Sequence, residues 1–189
     1  MRKVDFQKIV GSGNDFLVIE GKSAKGLRLG DVARRACDRR YGFGADGVLV
    51  LEKTRGADIR MRIFNADGSE AEMCGNGARC TAFYAAQKMK GQGKKRLAIK
   101  TRAGLVRAWV DGFEVGIQLT APRGLGCGIP VQIGKRTVKV NCIDTGVPHA
   151  VIFVEGLESI DVDGLGRFIR SHNKFAPRGT NVNFVQILG

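Results

Sequence analysis

No run of apolar residues in this 189-residue chain comes near the roughly 20 that a membrane-spanning helix needs. The N-terminus, MRKVDFQKIVGSGNDF, has no apolar core of signal-peptide length. A cytoplasmic protein with no membrane partner is therefore expected. Cysteine is sparse: Cys37, Cys74, Cys80, Cys127 and Cys142 make an odd number with no Cys-x-x-Cys pair. That argues against a disulfide framework and a structural zinc site, and no metal is expected. Aromatic residues are few, at 7%, and do not interleave with the basic ones as stacking platforms for nucleic acid require. The formal net charge of +13 alone would suggest a polyanion partner. Its cations are scattered, however, over Arg34 to Arg40, Lys88 to Arg96, and Arg167 with Arg170. A basic solvated surface, with no nucleic acid bound, is the expectation.

Glycine is what the chain has in abundance, 27 against four prolines, which implies tight turns and close backbone approaches. Val4 to Val10 and Asp15 to Glu20 read as strands joined through Gly11-Ser12-Gly13. A helix is predicted from an Asp31 N-cap to Gly42, followed by a glycine-rich loop to Gly47 and a strand from Val48 to Glu52. Ile59 to Asn65 alternates as a strand and ends in the turn Ala66-Asp67-Gly68-Ser69. Ala78, Ala82, Ala85, Ala86 and Met89 then fall on one helical face, with Gly91 as a stop. Strand-like runs follow at Leu97 to Thr101, Leu105 to Val110 and Phe113 to Leu119. Pro122 and the glycines at 124, 126 and 128 read as a linker.

Beyond that point the pattern begins again. A strand at Ala150 to Glu155, a helix near Asp163 to Ser171 and a strand at Val182 to Leu188 correspond to the strand, helix and strand of the first part. Asp31 lies 17 residues before Val48, and Asp163 lies 19 before Val182. The chain thus reads as a duplicated unit whose second copy starts near residue 125. The first copy's cysteine segment at Cys74 has no counterpart in the second.

Met73-Cys74-Gly75-Asn76-Gly77 carries the chemistry. A Cys directly ahead of a helix sits where unpaired N–H groups converge at the positive end of the helix dipole, which favours a thiolate. The amides of Gly75 and Asn76 could cradle a carboxylate, with glycines at 75 and 77 leaving room for it. A base beside such a cradle suits removal of the α-proton of an amino acid. On the residues alone, a buried, inert Cys at a helix start fits equally well.

The runs Gly13-Asn-Asp-Phe16, Tyr41-Gly-Phe-Gly-Ala-Asp-Gly47 and Asn65-Ala-Asp-Gly-Ser-Glu-Ala-Glu-Met-Cys-Gly-Asn-Gly-Ala-Arg-Cys80 resemble diaminopimelate epimerase in order and spacing. Thr145-Gly-Val-Pro-His-Ala150 and Gly179-Thr-Asn-Val-Asn-Phe184 are similar too. The resemblance implies an α/β fold of two pseudo-symmetric domains, each a curled sheet around a central helix. The first would span 1–120 and contain the Cys74 helix; the second, 121–189, would be incomplete and lack its own central helix. It also implies a cofactor-independent interconversion of LL- and meso-2,6-diaminopimelate by two cysteines, one a thiolate base and the other a thiol acid.

Cys74 matches one of these bases, and Gly75 and Asn76 match the backbone cradle. Asn14 and Asn65 match substrate-holding side chains of the first domain, and Asn181 matches one of the second. His149 matches a residue near the catalytic thiols. Val147 stands where some members carry a substrate-binding Asn, so that contact is not carried over. The family's later Glu-Arg pair and second Cys-Gly-Thr-Gly motif are absent. The expectation is a truncated member with little activity alone, whose exposed sheet edges favour association, a homodimer included. A substrate-binding module without catalysis and a racemase of another amino acid remain as alternatives.

Overall fold

The computed structural model describes residues 3–119 and 121–188. The chain divides into two compact units, Met1–Leu119 and Thr120–Gly189. Thr120, at the expected boundary, lies outside the described residues.

The first unit opens with β1 (Gln7–Gly11) and β2 (Asn14–Glu20), an antiparallel hairpin in which Gly11 faces Asn14. Its two turn residues, Ser12 and Gly13, both have positive φ, 50° and 88°, as a two-residue turn matched to strand twist requires. A single helical turn, α1 (Gly21–Ala24), and α2 (Leu29–Cys37) lead to β3 (Gly47–Glu52), which runs parallel to β2. β4 (Ile59–Asn65) and the short β5 (Glu70–Ala71) precede α3 (Gly75–Lys88). Then come β6 (Lys95–Thr101), β7 (Gly104–Asp111) and β8 (Glu114–Gln118). The sheet order is β1-β2-β3-β4-β6-β7-β8, with β5 on β4.

This sheet curls around α3, which packs against β1, β2, β3, β4, β6, β7 and β8. Small residues let it do so: Ala78, Ala82 and Ala86 are buried, as are Cys80 and Thr81. On the concave side they meet Leu49, Met61, Ile63 and Ile99. On the convex side, α1 and α2 cover Leu17, Ile19, Val48, Val50 and Phe64. Burial on both faces explains why Phe16 to Ile19 and Val48 to Leu51 are continuous apolar runs instead of alternating ones. Each such fully buried side chain contributes about 1.5–3 kcal/mol of transfer free energy.

The second unit is a four-stranded sheet of order β12-β11-β10-β9, built from β9 (Arg123–Ile133), β10 (Arg136–Asp144), β11 (Pro148–Phe153) and β12 (Asn181–Val185). Its helix α4 (Val162–Arg170) connects β11 to β12, which are parallel, and buries Ile169 in the core with Val131, Val140, Ala150 and Ile152. The order β10-β11-α4-β12, with an antiparallel then a parallel pair, repeats β1-β2-α2-β3. The duplication read from the sequence is present in the backbone.

Four expectations change. The segment from Pro122 to Gly128 is no linker: from Arg123 it belongs to the long edge strand β9. Its glycines at 124 and 128 take positive φ, and its pairing with β10 shifts register at Val140/Cys142 and again at Cys142/Asp144, so they serve strand irregularities. Asp31 does not cap α2: it lies in the first turn, paired with Arg28 and Arg34. That helix stops at Cys37, because the Asp38 carboxylate draws the N–H groups of Arg40 and Tyr41 into a turn. Met89 is the C-cap of α3 and is exposed, so the apolar face ends one turn earlier than its spacing suggests.

Candidate functional site

Cys74 is the N-cap of α3. Its backbone is extended (φ −146°, ψ 123°), and its Sγ accepts the Gly77 N–H at 3.4 Å. The sulfur belongs to a half-buried residue, in contrast to Cys37 and Cys80, which are buried. Burial pushes both of those thiols up to about 11 and keeps them protonated. The Cys142 thiol is raised as well, again by burial. Ala78 N–H returns to the Cys74 carbonyl at 2.8 Å and closes the first helical turn. Among the described residues, the N–H groups of Gly75 and Asn76 have no acceptor, as expected for the first two positions of a helix. No acidic side chain occupies this first turn, so the positive end of α3 is uncompensated from within the helix.

The two glycines have different roles. A Cβ at Gly75 would meet only Arg79 and Ile117, each at an ordinary 3.7 Å. A Cβ at Gly77 would lie 3.1 Å from Leu49 Cδ2 and 3.5 Å from both Ile63 and Cys74. Gly77 thus lets the helix seat on β3 and β4, which corrects the expectation that it makes room for a ligand.

Asn14 starts β2, Gly47 starts β3 and Asn65 ends β4. The registers Phe16↔Gly47 and Gly47↔Asn65 place all three at one end of the sheet. Asn14 accepts the Asn76 carboxamide N–H at 2.8 Å, and its own Nδ2 donates to Asp46 Oδ2 at 2.8 Å. Asn76 Nδ2 also donates to the Ser12 carbonyl at 3.3 Å, and Asn76 Oδ1 accepts from Arg79 at 2.9 Å. Below this row, Arg39 bridges Asp15 and Asp46, and Lys8 pairs with Asp15 at 3.0 Å. The Arg39 guanidinium, with Lys8 assisting, holds the Asp15 carboxyl well below the usual carboxylate range. Asn65 donates to Ser69 Oγ at 3.0 Å across the turn that follows it. Asn14, Asn65, Cys74, Gly75 and Asn76 therefore gather where the start of α3 meets that end of the sheet.

Beside this corner a cleft of about 610 Å³ opens between β1 and β8, the two edges of the curled sheet. Gly11, Ser12, Arg79, Cys80, Phe83 and Phe113 contribute to its wall, and Cys74 does not. Among the described residues, no three of His, Cys, Asp and Glu gather to hold a metal ion, and no helix is long and apolar enough to cross a membrane.

In the second unit, His149 and Asn181 are register partners on the parallel pair β11 and β12. His149 Nδ1 donates to Asn183 Oδ1 at 2.9 Å, which leaves Nε2 as the ring's basic nitrogen. Asn181 Oδ1 accepts from Arg170 at 3.4 Å. Asn183, Asp46 and Arg79 stand out only once the hydrogen bonds are in place. The alternation in Asn181-Val-Asn183 was a signal for the first of these, since residues two apart share a strand face.

The family model for diaminopimelate epimerase matches residues 6–118. Diaminopimelate epimerase of Carboxydothermus hydrogenoformans is 40% identical over 200 residues, covering 98% of this chain and 72% of that protein. That of Hydrogenobaculum sp. is 41% identical, covering 94% of this chain and 68% of its own length. Among solved structures, a hydroxyproline epimerase from Agrobacterium vitis superposes with a TM-score of 0.65 at 16% identity. That match covers 90% of this chain and 57% of the other, so the chain spans less than two thirds of it. At that identity the likeness concerns the fold.

Proposed function

This chain belongs to the diaminopimelate epimerase family, a family of isomerases, and on that premise we propose that it performs proton transfer at the α-carbon of 2,6-diaminopimelate. The LL and meso forms are interconverted without a cofactor, in the cytoplasm, for lysine and cell-wall precursor synthesis. Cys74 Sγ, as thiolate, takes the α-proton. The electron pair of the broken C–H bond moves into the adjacent carboxylate, whose oxygens gain charge as an enediolate. The free N–H groups of Gly75 and Asn76, at the positive end of α3, donate to those oxygens; loss of one such donor typically costs about 10²–10³ in rate. Return of the proton from Sγ restores the starting isomer, while delivery from a thiol on the opposite face inverts it. By their match to the family's motifs, Asn14, Asn65 and Asn181 serve as substrate-holding side chains, and His149 adjusts the protonation of the thiols.

The observation that supports this reading best is the pairing of a half-buried Cys74 sulfur with two helix-start amides that have no acceptor among the described residues. Of the remaining cysteines, Cys37 and Cys80 are buried and protonated, and none stands in a Cys-Gly-Thr-Gly motif. For the 189-residue chain we therefore expect α-proton exchange to outrun inversion. Proton NMR of LL- and meso-diaminopimelate in D2O tests this. Loss of the α-proton signal should depend on Cys74 and fall at least about 10³-fold in Cys74→Ala, in line with removal of a catalytic nucleophile or base. Equal exchange by wild type and Cys74→Ala would contradict the assignment. Saturable binding with no exchange would make the chain a substrate-binding module instead.

A further inference from the structure

Asp46, Asn14, Asn76 and Arg79 form one hydrogen-bonded row with links of 2.8, 2.8 and 2.9 Å. Its two ends are chemically unambiguous. An ionised carboxylate only accepts, and a guanidinium only donates. Asp46 at one end therefore requires Asn14 to turn its amide nitrogen inward, which leaves Asn14 Oδ1 facing Asn76. Asn76 must then present its own nitrogen, which leaves its Oδ1 facing Arg79, and Arg79 supplies the donor that oxygen needs. Reversing either carboxamide would set donor against donor at one link and acceptor against acceptor at another.

We propose that Asp46 and Arg79 are positioning residues for the epimerase site, acting through the two asparagines between them. The proposal rests on the reading that Asn14 and Asn76 face the reacting amino acid. It also divides their labour. Both N–H groups of the Asn76 carboxamide are spent on Asn14 and on the Ser12 carbonyl, so Asn76 serves a ligand through its backbone amide. Among the described residues Asn14 keeps one side-chain N–H without an acceptor, a donor whose direction the row determines. Arg39, bound to both Asp46 and Asp15, and the Asp15 N–H, donating to Asp46 Oδ2 at 3.1 Å, hold the carboxylate end in place. At the other end, Arg79 sits in the second turn of α3, close to its positive end, where a cation is disfavoured. Its hydrogen bond to Asn76 accounts for its place there.

The test uses the whole chain and two readouts. The first is the side-chain amide signals of Asn14 and Asn76 in ¹H–¹⁵N spectra. The second is the affinity for diaminopimelate, measured by titration. Asp46→Asn preserves shape but can present either end of its amide. It should move the Asn76 side-chain signal, two hydrogen bonds away, and weaken binding about tenfold, as loss of a charge-assisted bond does. Arg79→Met should move the Asn14 signal with a similar loss, and Arg79→Lys, which keeps a donor, should recover part of it. The double variant Asp46→Asn with Arg79→Met should lose less than the two single losses multiplied, because both act on one row. Should Asp46→Asn fail to fold, the Arg79 variants read the row from its other end. Unchanged amide signals and affinity in these variants would overturn the proposal. If wild type does not bind diaminopimelate at all, the functional reading falls. The amide signals alone then decide whether the row is polarised as described.

Discussion

His149 donates from Nδ1 to the Asn183 carboxamide oxygen across the parallel pair β11 and β12, at 2.9 Å. Asn183 thereby selects the tautomer whose Nε2 carries the lone pair. Asn183→Ala should release the ring to the Nε2–H tautomer while costing no more than about 1 kcal/mol, since the bond is partly exposed. Long-range ¹H–¹⁵N correlation of His149 checks the tautomer directly. An unchanged ring pattern would show that Asn183 does not set it.

The cysteines should separate by reactivity. With their thiols near 11, Cys37 and Cys80 should resist iodoacetamide at pH 8, and Cys74 and the exposed Cys127 should be alkylated. The sign on stability follows from the same shift. The unfolded chain ionises these thiols at its ordinary value of 9.0, below the folded one. Their contribution is therefore complete below pH 9 and is lost as pH rises toward 11. Peptide mass mapping after timed labelling tests the ranking.

Gly42→Ala should destabilise the chain by about 3 kcal/mol, the upper range for forcing atoms into a packed site. An added Cβ would lie 2.3 to 2.8 Å from the carbonyl oxygens of Arg35, Ala36 and Asp38, backbone atoms that cannot turn aside. Because this loop leads to Asp46, the variant should also loosen the hold on Asn14. Urea denaturation measures the first effect, and the Asn14 amide signal the second.

Hydrogen bonds from Lys88 first, then Lys22, with Tyr84 assisting, bring Glu20 down to about 2. A depressed carboxylate contributes stability above its unfolded value of 4.5 and loses it as pH falls toward 2. Glu20→Gln should thus melt below wild type at neutral pH, and the two should converge near pH 2. Tm against pH for both proteins checks it.

What was legible in the sequence was local. Gly-Ser-Gly at a hairpin, a Cys before a run of alanines at helical spacing, and alternating Ile59, Met61 and Ile63 each carry their geometry within a few residues. The duplication was legible because the same local signals recur in the same order. The Pro122 to Gly128 stretch misled because glycine signals a loop by itself, yet here it serves an edge strand whose partner lies in β10. Asp46 and Arg79 escaped notice because their meaning depends on Asn14 and Asn76, which are brought together across 62 residues. Side-chain pairing at that distance follows from tertiary packing, and no spacing rule reports it.

The proposed grip of the amides after Cys74 on an amino acid's carboxylate can be read from those amides themselves. It is tested most directly by titrating the ¹⁵N-labelled chain with diaminopimelate, and separately with pentane-1,5-diamine, the same skeleton without carboxylates. Saturable shifts of the Gly75 and Asn76 backbone amides are expected with the first ligand and none with the second. Unmoved amides, or equal movement with both ligands, would contradict it.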